Sequence, residues 1–180
     1  MGKLDGKVAV ITGGGTGIGK AIGKAFAEEG CDLVLAARNA ERLKESAEEI
    51  AAVGVRTVAV PTDVASEADV IALFERAMSE FGRVDLLVNN AGVIAGDPIE
   101  ELTLEKWRQV FSVNVDGLMM CTREAFKIMK PQGGGRIINI GSVAADRPRE
   151  WSAPYTSSKH AVTGLTKSTA LDGREYGISC

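Results

Sequence analysis

The 180-residue chain has too little of several residue types to support whole classes of protein. Cysteine occurs three times, at Cys31, Cys121 and Cys180, far apart and never as a C-x-x-C pair. An odd, scattered set of this kind does not make a disulfide framework. The only histidine, His160, has no ligand set near it in the sequence, so no metal site is expected. Aromatic residues make up only 5% of the chain, and 21 Lys and Arg face 24 Asp and Glu, a net charge of −3 with no basic block. Nucleic acid, which asks for a cationic surface and rings to stack on, is therefore not an expected partner. Long hydrophobic runs are missing too: Val8 to Thr12 spans five residues before glycines interrupt it. That is too short for a signal-peptide core or a membrane span, and the expectation is a protein of the reducing cytoplasm.

What is present is a 45% apolar content, ample for one buried core, and the expectation is one domain over residues 1–180. Short runs rich in Val, Ile and Leu alternate with longer stretches of helical periodicity, the pattern of repeated βαβ units. The strand candidates are Val8–Thr12, Asp32–Ala37, Val55–Val60, Asp85–Asn89 and Arg136–Ile140, apolar on both faces as a covered parallel sheet requires. Ile18, Ala21, Ile22, Ala25 and Phe26 form one expected helical stripe against the sheet, and Leu43, Ala47 and Ile50 another. A longer helix is expected over about Leu104 to Lys130. Its Trp107, Val110, Phe111, Val115, Leu118, Met119, Phe126 and Met129 cannot share one stripe, so it should bury two faces. Pro131 to Gly135 reads as a helix stop before the fifth strand. The fold class is α/β, a doubly wound parallel sheet of the Rossmann type in the order 3-2-1-4-5.

Between the first strand and first helix lies TGGGTGIG, Thr12 to Gly19. Glycines let backbone approach a phosphate, and a helix N-terminus adds N–H donors and a positive dipole end. The spacing of Gly13, Gly17 and Gly19 is G-x-x-x-G-x-G rather than G-x-G-x-x-G. Gly14, Gly19 and Lys20 also fit part of a P-loop, but the next residue is Ala21 where Mg²⁺ binding needs Ser or Thr. A tight strand-to-helix turn with no ligand is the plainest alternative.

Four further segments fall at strand ends or on the long helices: Asn89-Asn90-Ala91-Gly92, Asn114, Ser142, and Tyr155 with Lys159. Singly, N-N-A-G is an ordinary turn and Y-x-x-x-K an exposed pair. Together and in this order, with TGGGTGIG, they resemble the classical short-chain dehydrogenase/reductases over essentially the whole chain. Part of the chemistry follows without the family. Tyr155 and Lys159 are one helical turn apart and share a face, and a fixed ammonium beside a phenol eases proton transfer from it. Ser142 lies beyond the carboxyl end of a strand, where open α/β sheets bind ligands.

The resemblance implies hydride transfer between a nicotinamide cofactor and a carbonyl or secondary alcohol. Tyr155 would be the proton donor or acceptor, Ser142 would hold the substrate oxygen, Lys159 would tune Tyr155 and bind the nicotinamide ribose, and Asn114 would hold a water of the proton relay. It also implies cofactor contacts from Gly13, Gly15, Thr16, Gly17, Ile18, Gly19, Arg38, Asp63, Val64, Asn90, Ala91, Gly92, Tyr155 and Lys159. Asp63 read alone could instead cap the helix starting near Ser66. Where NAD enzymes carry a ribose-binding carboxylate this chain has Ala37, followed by Arg38, which can pair with a 2′-phosphate. NADP(H) is therefore expected over NAD(H), although Thr16 stands where many NADP-preferring relatives carry a basic residue.

The last residues, Tyr176 to Cys180, read as the start of a sixth strand. The usual substrate segment and last strand of the family are then expected to be missing, and a poorly active or regulatory dinucleotide-binding fragment is the alternative to a working reductase. Substrate identity is not legible; Arg147, Pro148, Arg149, Glu150 and Trp151, between Ser142 and Tyr155, could touch a substrate but read first as a solvated rim. The apolar excess of the long helix predicts a homo-oligomer, a dimer or tetramer.

Overall fold

A computed structural model describes residues 2–180. The chain runs β1 (Val8–Thr12), α1 (Gly17–Glu28), β2 (Asp32–Ala37), α2 (Ala40–Ala51), β3 (Thr57–Pro61), α3 (Glu67–Phe81), β4 (Leu86–Asn89) and α4 (Leu104–Phe111). A π-helical turn, Ser112–Gly117, leads into α5 (Leu118–Gln132), then β5 (Gly135–Asn139), α6 (Ala153–Gly173) and β6 (Ile178–Ser179). All pairings are parallel and the sheet order is β3-β2-β1-β4-β5-β6. This is the doubly wound arrangement expected, with a short sixth strand beside the fifth.

Local chemistry sets the helix ends. The side chains of Asn39, Ser66 and Thr103 accept from the N–H groups of Arg42, Asp69 and Lys106, capping α2, α3 and α4. Gly82 and Gly133 close α3 and α5 in the left-handed conformation. Asp85 fixes the amino-terminal edge of the sheet, accepting from Val8 N–H, Lys7 and Arg83. Burial pushes its carboxyl up, but Arg83, the Val8 N–H and Lys7 outweigh that and hold it below the usual carboxylate range.

The core has two layers. Val10, Val34, Leu87 and Ile137 pack on one face of the sheet with Val70, Leu73, Phe74, Cys121, Ala125 and Met129 of α3 and α5. Ala9, Ile11, Leu33, Leu35 and Val88 pack on the other with Leu43, Ala47 and Ile50 of α2, the stripe expected. On that second face Ile138 and Ile140 are only half-buried. Ile138 borders a cavity of about 570 Å³ at the amino-terminal side of the strands, lined also by Leu4, Lys7, Phe26 and Asp85 and holding none of the expected site residues.

Several expectations need correction. Helix α1 buries Gly19, Gly23 and Ala27, while Ile18, Ala21 and Ala25 are exposed and Ile22 and Phe26 half-buried. The cause is close approach: a Cβ on Gly23 would stand 3.2 Å from Ile50 and 3.4 Å from Leu35, so the small-residue face meets the sheet. The long helix is not uniform but is broken by the π turn, and Pro131 and Gln132 still belong to its last turn. Strand β3 begins at Thr57 rather than Val55, β4 at Leu86 rather than Asp85, whose side chain is taken by the edge cluster, and β5 runs one residue earlier than expected.

Candidate active site

The glycine loop is stitched to the loop leaving β4. Thr12, the buried last residue of β1, accepts at Oγ1 from the N–H groups of Asn90 and Ala91, each at 3.1 Å. In return Asn90 Nδ2 donates to the carbonyls of Thr12 and Gly13 at 3.0 and 3.2 Å. From the side of α2, Ser46 Oγ donates to Gly15 O at 2.8 Å. Gly13 needs its φ of +67°, and a Cβ on Gly19 would lie 2.3 Å from Gly13 O, so neither position accepts a side chain unstrained. Thr16 precedes α1 without using its side chain as a cap. The first N–H groups of α1 are thus uncapped by it, as an anion cradle requires. Lys20, the lysine of the rival P-loop match, is paired with Glu49 at 2.5 Å.

Beside this loop a cleft of about 150 Å³ brings together Gly13, Arg38, Asp63, Val64, Ala91 and Gly92, six of the residues expected to hold a cofactor. Ala37 lines it as well. Arg38 is exposed and, among the described residues, forms no ion pair. Asp63 does not cap α3, because Ser66 does; Asp63 Oδ1 accepts instead from Ala65 N–H. Gly15, Thr16, Gly17, Ile18, Gly19 and Asn90 lie outside the lining of this cleft, in the turn and first helical turn beside it. Ile18 is exposed.

Of the expected catalytic residues, Asn114 is linked by hydrogen bonds through Ser158 to the Tyr155 backbone. Asn114 sits in the π turn, buried, with Oδ1 accepting from Val93 N–H at 2.8 Å and Nδ2 donating to Val93 O and to Ser158 Oγ. Ser158 is fully buried and donates to Tyr155 O at 2.7 Å. Sequence reading missed Ser158, whose only signal is a hydroxyl directly before Lys159. Both polar atoms of the Asn114 side chain are therefore engaged by Val93 and Ser158.

Lys159 is buried, and its Nζ donates to Ile140 O at 2.7 Å while lying 5.7 Å from the centre of the Tyr155 ring. Burial pushes the Lys159 ammonium below the usual lysine value. The ammonium is thus anchored two residues before Ser142, at the carboxyl end of β5. Ser142 is half-buried and accepts from Ala144 N–H, which orients its hydroxyl at the start of a single 3₁₀ turn. Tyr155 is half-buried at the start of α6, one turn before Lys159, as its spacing required.

A second polar chain crosses the strand ends beneath these groups. Asn89 Nδ2 donates to Thr122 and to Asn139, and Asn139 donates to Thr166 and Cys180. It ties β4 and β5 to α5 and α6 in the register Asn89 to Asn139. Burial pushes the Cys31 and Cys121 thiols up to about 12, which disfavours their thiolates.

The family model for short chain dehydrogenases matches residues 7–180. A 3beta-hydroxysteroid dehydrogenase of Mediterraneibacter gnavus is 39% identical over 100% of this chain and 65% of its own length. The crystal structure of a short chain dehydrogenase/reductase from Burkholderia phymatum in complex with NAD is 40% identical, with a TM-score of 0.95 over 100% of this chain and 65% of that one. That of an NAD+-bound xylitol dehydrogenase is 34% identical, with a TM-score of 0.95 over 98% and 68%. The chain belongs to the short chain dehydrogenase family. It spans about two thirds of the length of these relatives.

Proposed function

We propose that this chain is a nicotinamide-dependent oxidoreductase acting between a carbonyl and a secondary alcohol. The observation that carries the reading is the buried Lys159 ammonium, held by Ile140 O at 2.7 Å, two residues before Ser142, and 5.7 Å from the centre of the Tyr155 ring. The cradle fits a dinucleotide, because Gly17 opens α1 at a φ of +53° with open space where a Cβ would stand, so its backbone is free to approach a phosphate. When bound, the nicotinamide supplies or accepts the hydride. Ser142 Oγ holds the substrate oxygen in place, and Tyr155 Oη gives it a proton in reduction or takes one in oxidation. Lys159 keeps a positive charge beside the phenol, favouring the charged form through which the proton passes. Asn114 and Ser158 fix the turn of α6 that carries both.

NADP(H) is the proposed cofactor. Ala37 leaves the end of β2 without a carboxylate to repel a 2′-phosphate, and Arg38 next to it has no competing ion pair among the described residues. The two NAD complexes named above are the reason to test this directly. Titrations should give a lower Kd for NADPH than for NADH, and Arg38→Asp should reverse the order. Tighter NADH binding by the unaltered protein would overturn the assignment. Oxidation of NADPH by a panel of ketones, followed by nicotinamide absorbance, tests the activity, and no turnover on any carbonyl class would count against it.

A homo-oligomer in the reducing cytoplasm completes the proposal. The three free thiols suit that compartment. The outer sides of α5 and α6 form a shallow groove from Met119, Phe126 and Leu165, bordered by Arg123, Lys127 and Asp172. Such a surface, apolar at its centre and charged at its rim, favours self-association. Light scattering showing only monomer at micromolar concentration would contradict it.

A further inference from the structure

We infer that Trp151 is a specificity-determining residue of the substrate cleft, a flat apolar platform for a ketone or secondary alcohol carried on a ring system. The inference rests on the oxidoreductase reading and goes beyond it to the skeleton of the substrate. Among the described residues Trp151 is the only one besides glycine with a positive φ, +54°. A bulky side chain keeps that backbone conformation only where its surroundings impose it, and such outliers cluster at functional sites.

The imposing contact is a backbone one. The Trp151 carbonyl lies so close to Gly96 that a Cβ there would stand 1.6 Å from the oxygen. Gly96 belongs to the segment leaving β4, and that segment is fixed in turn. Asn114 holds both the N–H and the carbonyl of Val93, and Lys106 forms an ion pair with Asp97. The loops leaving β4 and β5 therefore meet at this point, beyond the carboxyl ends of their strands. There they hold Trp151 one helical turn before Tyr155, on the segment that connects it with Ser142.

A tryptophan fixed so firmly ordinarily buries its ring, yet Trp151 is 66% exposed. Its place just before Ser152 would suit a hydrophobic staple onto the first turns of α6, but the partner position there is the polar Thr156. The same two loops also leave Ile94 76% and Val143 71% exposed. Ile99 is exposed on them too. Large apolar side chains kept in water on preformed loops around proton-transfer groups make a wall for apolar ring carbons. An open-chain polyol would lose hydration against such residues without gaining hydrogen bonds.

The test separates the platform from the catalysis. Trp107→Phe leaves Trp151 as the single tryptophan, since the chain has two. With saturating NADP+, its emission should shift saturably on titration with 1-decalone, a bicyclic ketone, and not with 2-butanone. In the otherwise unaltered chain, Trp151→Asn removes the indole while tolerating the positive φ. It should lower the ratio of kcat/KM for 1-decalone over 2-butanone tenfold or more, and Trp151→Phe should restore most of the ratio. An emission that ignores 1-decalone, or a ratio unchanged in Trp151→Asn, overturns the inference. A responsive Trp151 in a protein that reduces neither ketone supports the platform and removes the oxidoreductase reading alone.

Discussion

Replacing Ser158 with Ala removes a single oxygen from the junction of the π turn and α6, and its effect can be worked from the bonds it breaks. Asn114 Nδ2 keeps Val93 O but loses Ser158 Oγ, so one buried N–H is left without an acceptor. An unmet buried donor costs about 1–3 kcal/mol. The Tyr155 carbonyl lies inside α6 and retains its helical partner, so it adds little. Alanine returns about 0.5 kcal/mol through its better helix propensity. The net loss is about 1.5 kcal/mol, or a fall in Tm of about 3–6 °C for a protein of this size. Urea unfolding of Ser158→Ala should show a lower midpoint with an unchanged slope. In an Asn114→Ala background the donor is already gone, so Ser158→Ala should cost less by at least about 0.5 kcal/mol. Full additivity of the two substitutions would refute the bridge.

Gly19→Ala drives a Cβ against Gly13 O and should destabilise the protein by about 1–3 kcal/mol while weakening NADPH binding at least tenfold, read by urea unfolding and fluorescence titration. Unchanged affinity would remove the cradle from the account. Asp85 has a carboxyl held below its usual value, so its stabilisation is complete above the unfolded pKa of about 3.9 and fades as pH falls through the lower folded value. Melts between neutral and acid pH should therefore show a steeper acid loss for the unaltered protein than for Asp85→Asn; parallel curves would contradict the assignment.

The layout of the sheet was legible because buried parallel strands announce themselves as β-branched runs, and all five expected strands lie within two residues of their places. Helix α1 was legible only in part: Ile22 and Phe26 do pack against the core, but periodicity counts apolar side chains and passes over the buried small residues Gly19, Gly23 and Ala27. The π turn at Asn114 leaves no trace in composition, since its residues look helical and only hydrogen-bond spacing distinguishes them. Tyr155, Lys159, Ser142 and Asn114 could be marked through order and resemblance. That the Asn114 amide is consumed by Val93 and Ser158, and that Lys159 rests on Ile140 O, depends on contacts between segments far apart in sequence. Arg147 to Trp151 are all exposed, as a rim requires, but the positive φ of Trp151 against Gly96, more than fifty residues away, has no sign in the sequence.

The central claim is that Tyr155 carries the proton while the glycine cradle carries the cofactor, two tasks on separate groups. Turnover of a ketone by Tyr155→Phe, measured alongside its Kd for NADPH, tests this most directly. The substitution removes only the phenolic hydroxyl, which has no hydrogen-bond partner among the described residues, so the fold should be little affected. The expected result is a fall in kcat of about 10²-fold or more, the share that general acid-base catalysis supplies, with Kd changed by less than about threefold. Near-normal turnover in Tyr155→Phe would contradict it.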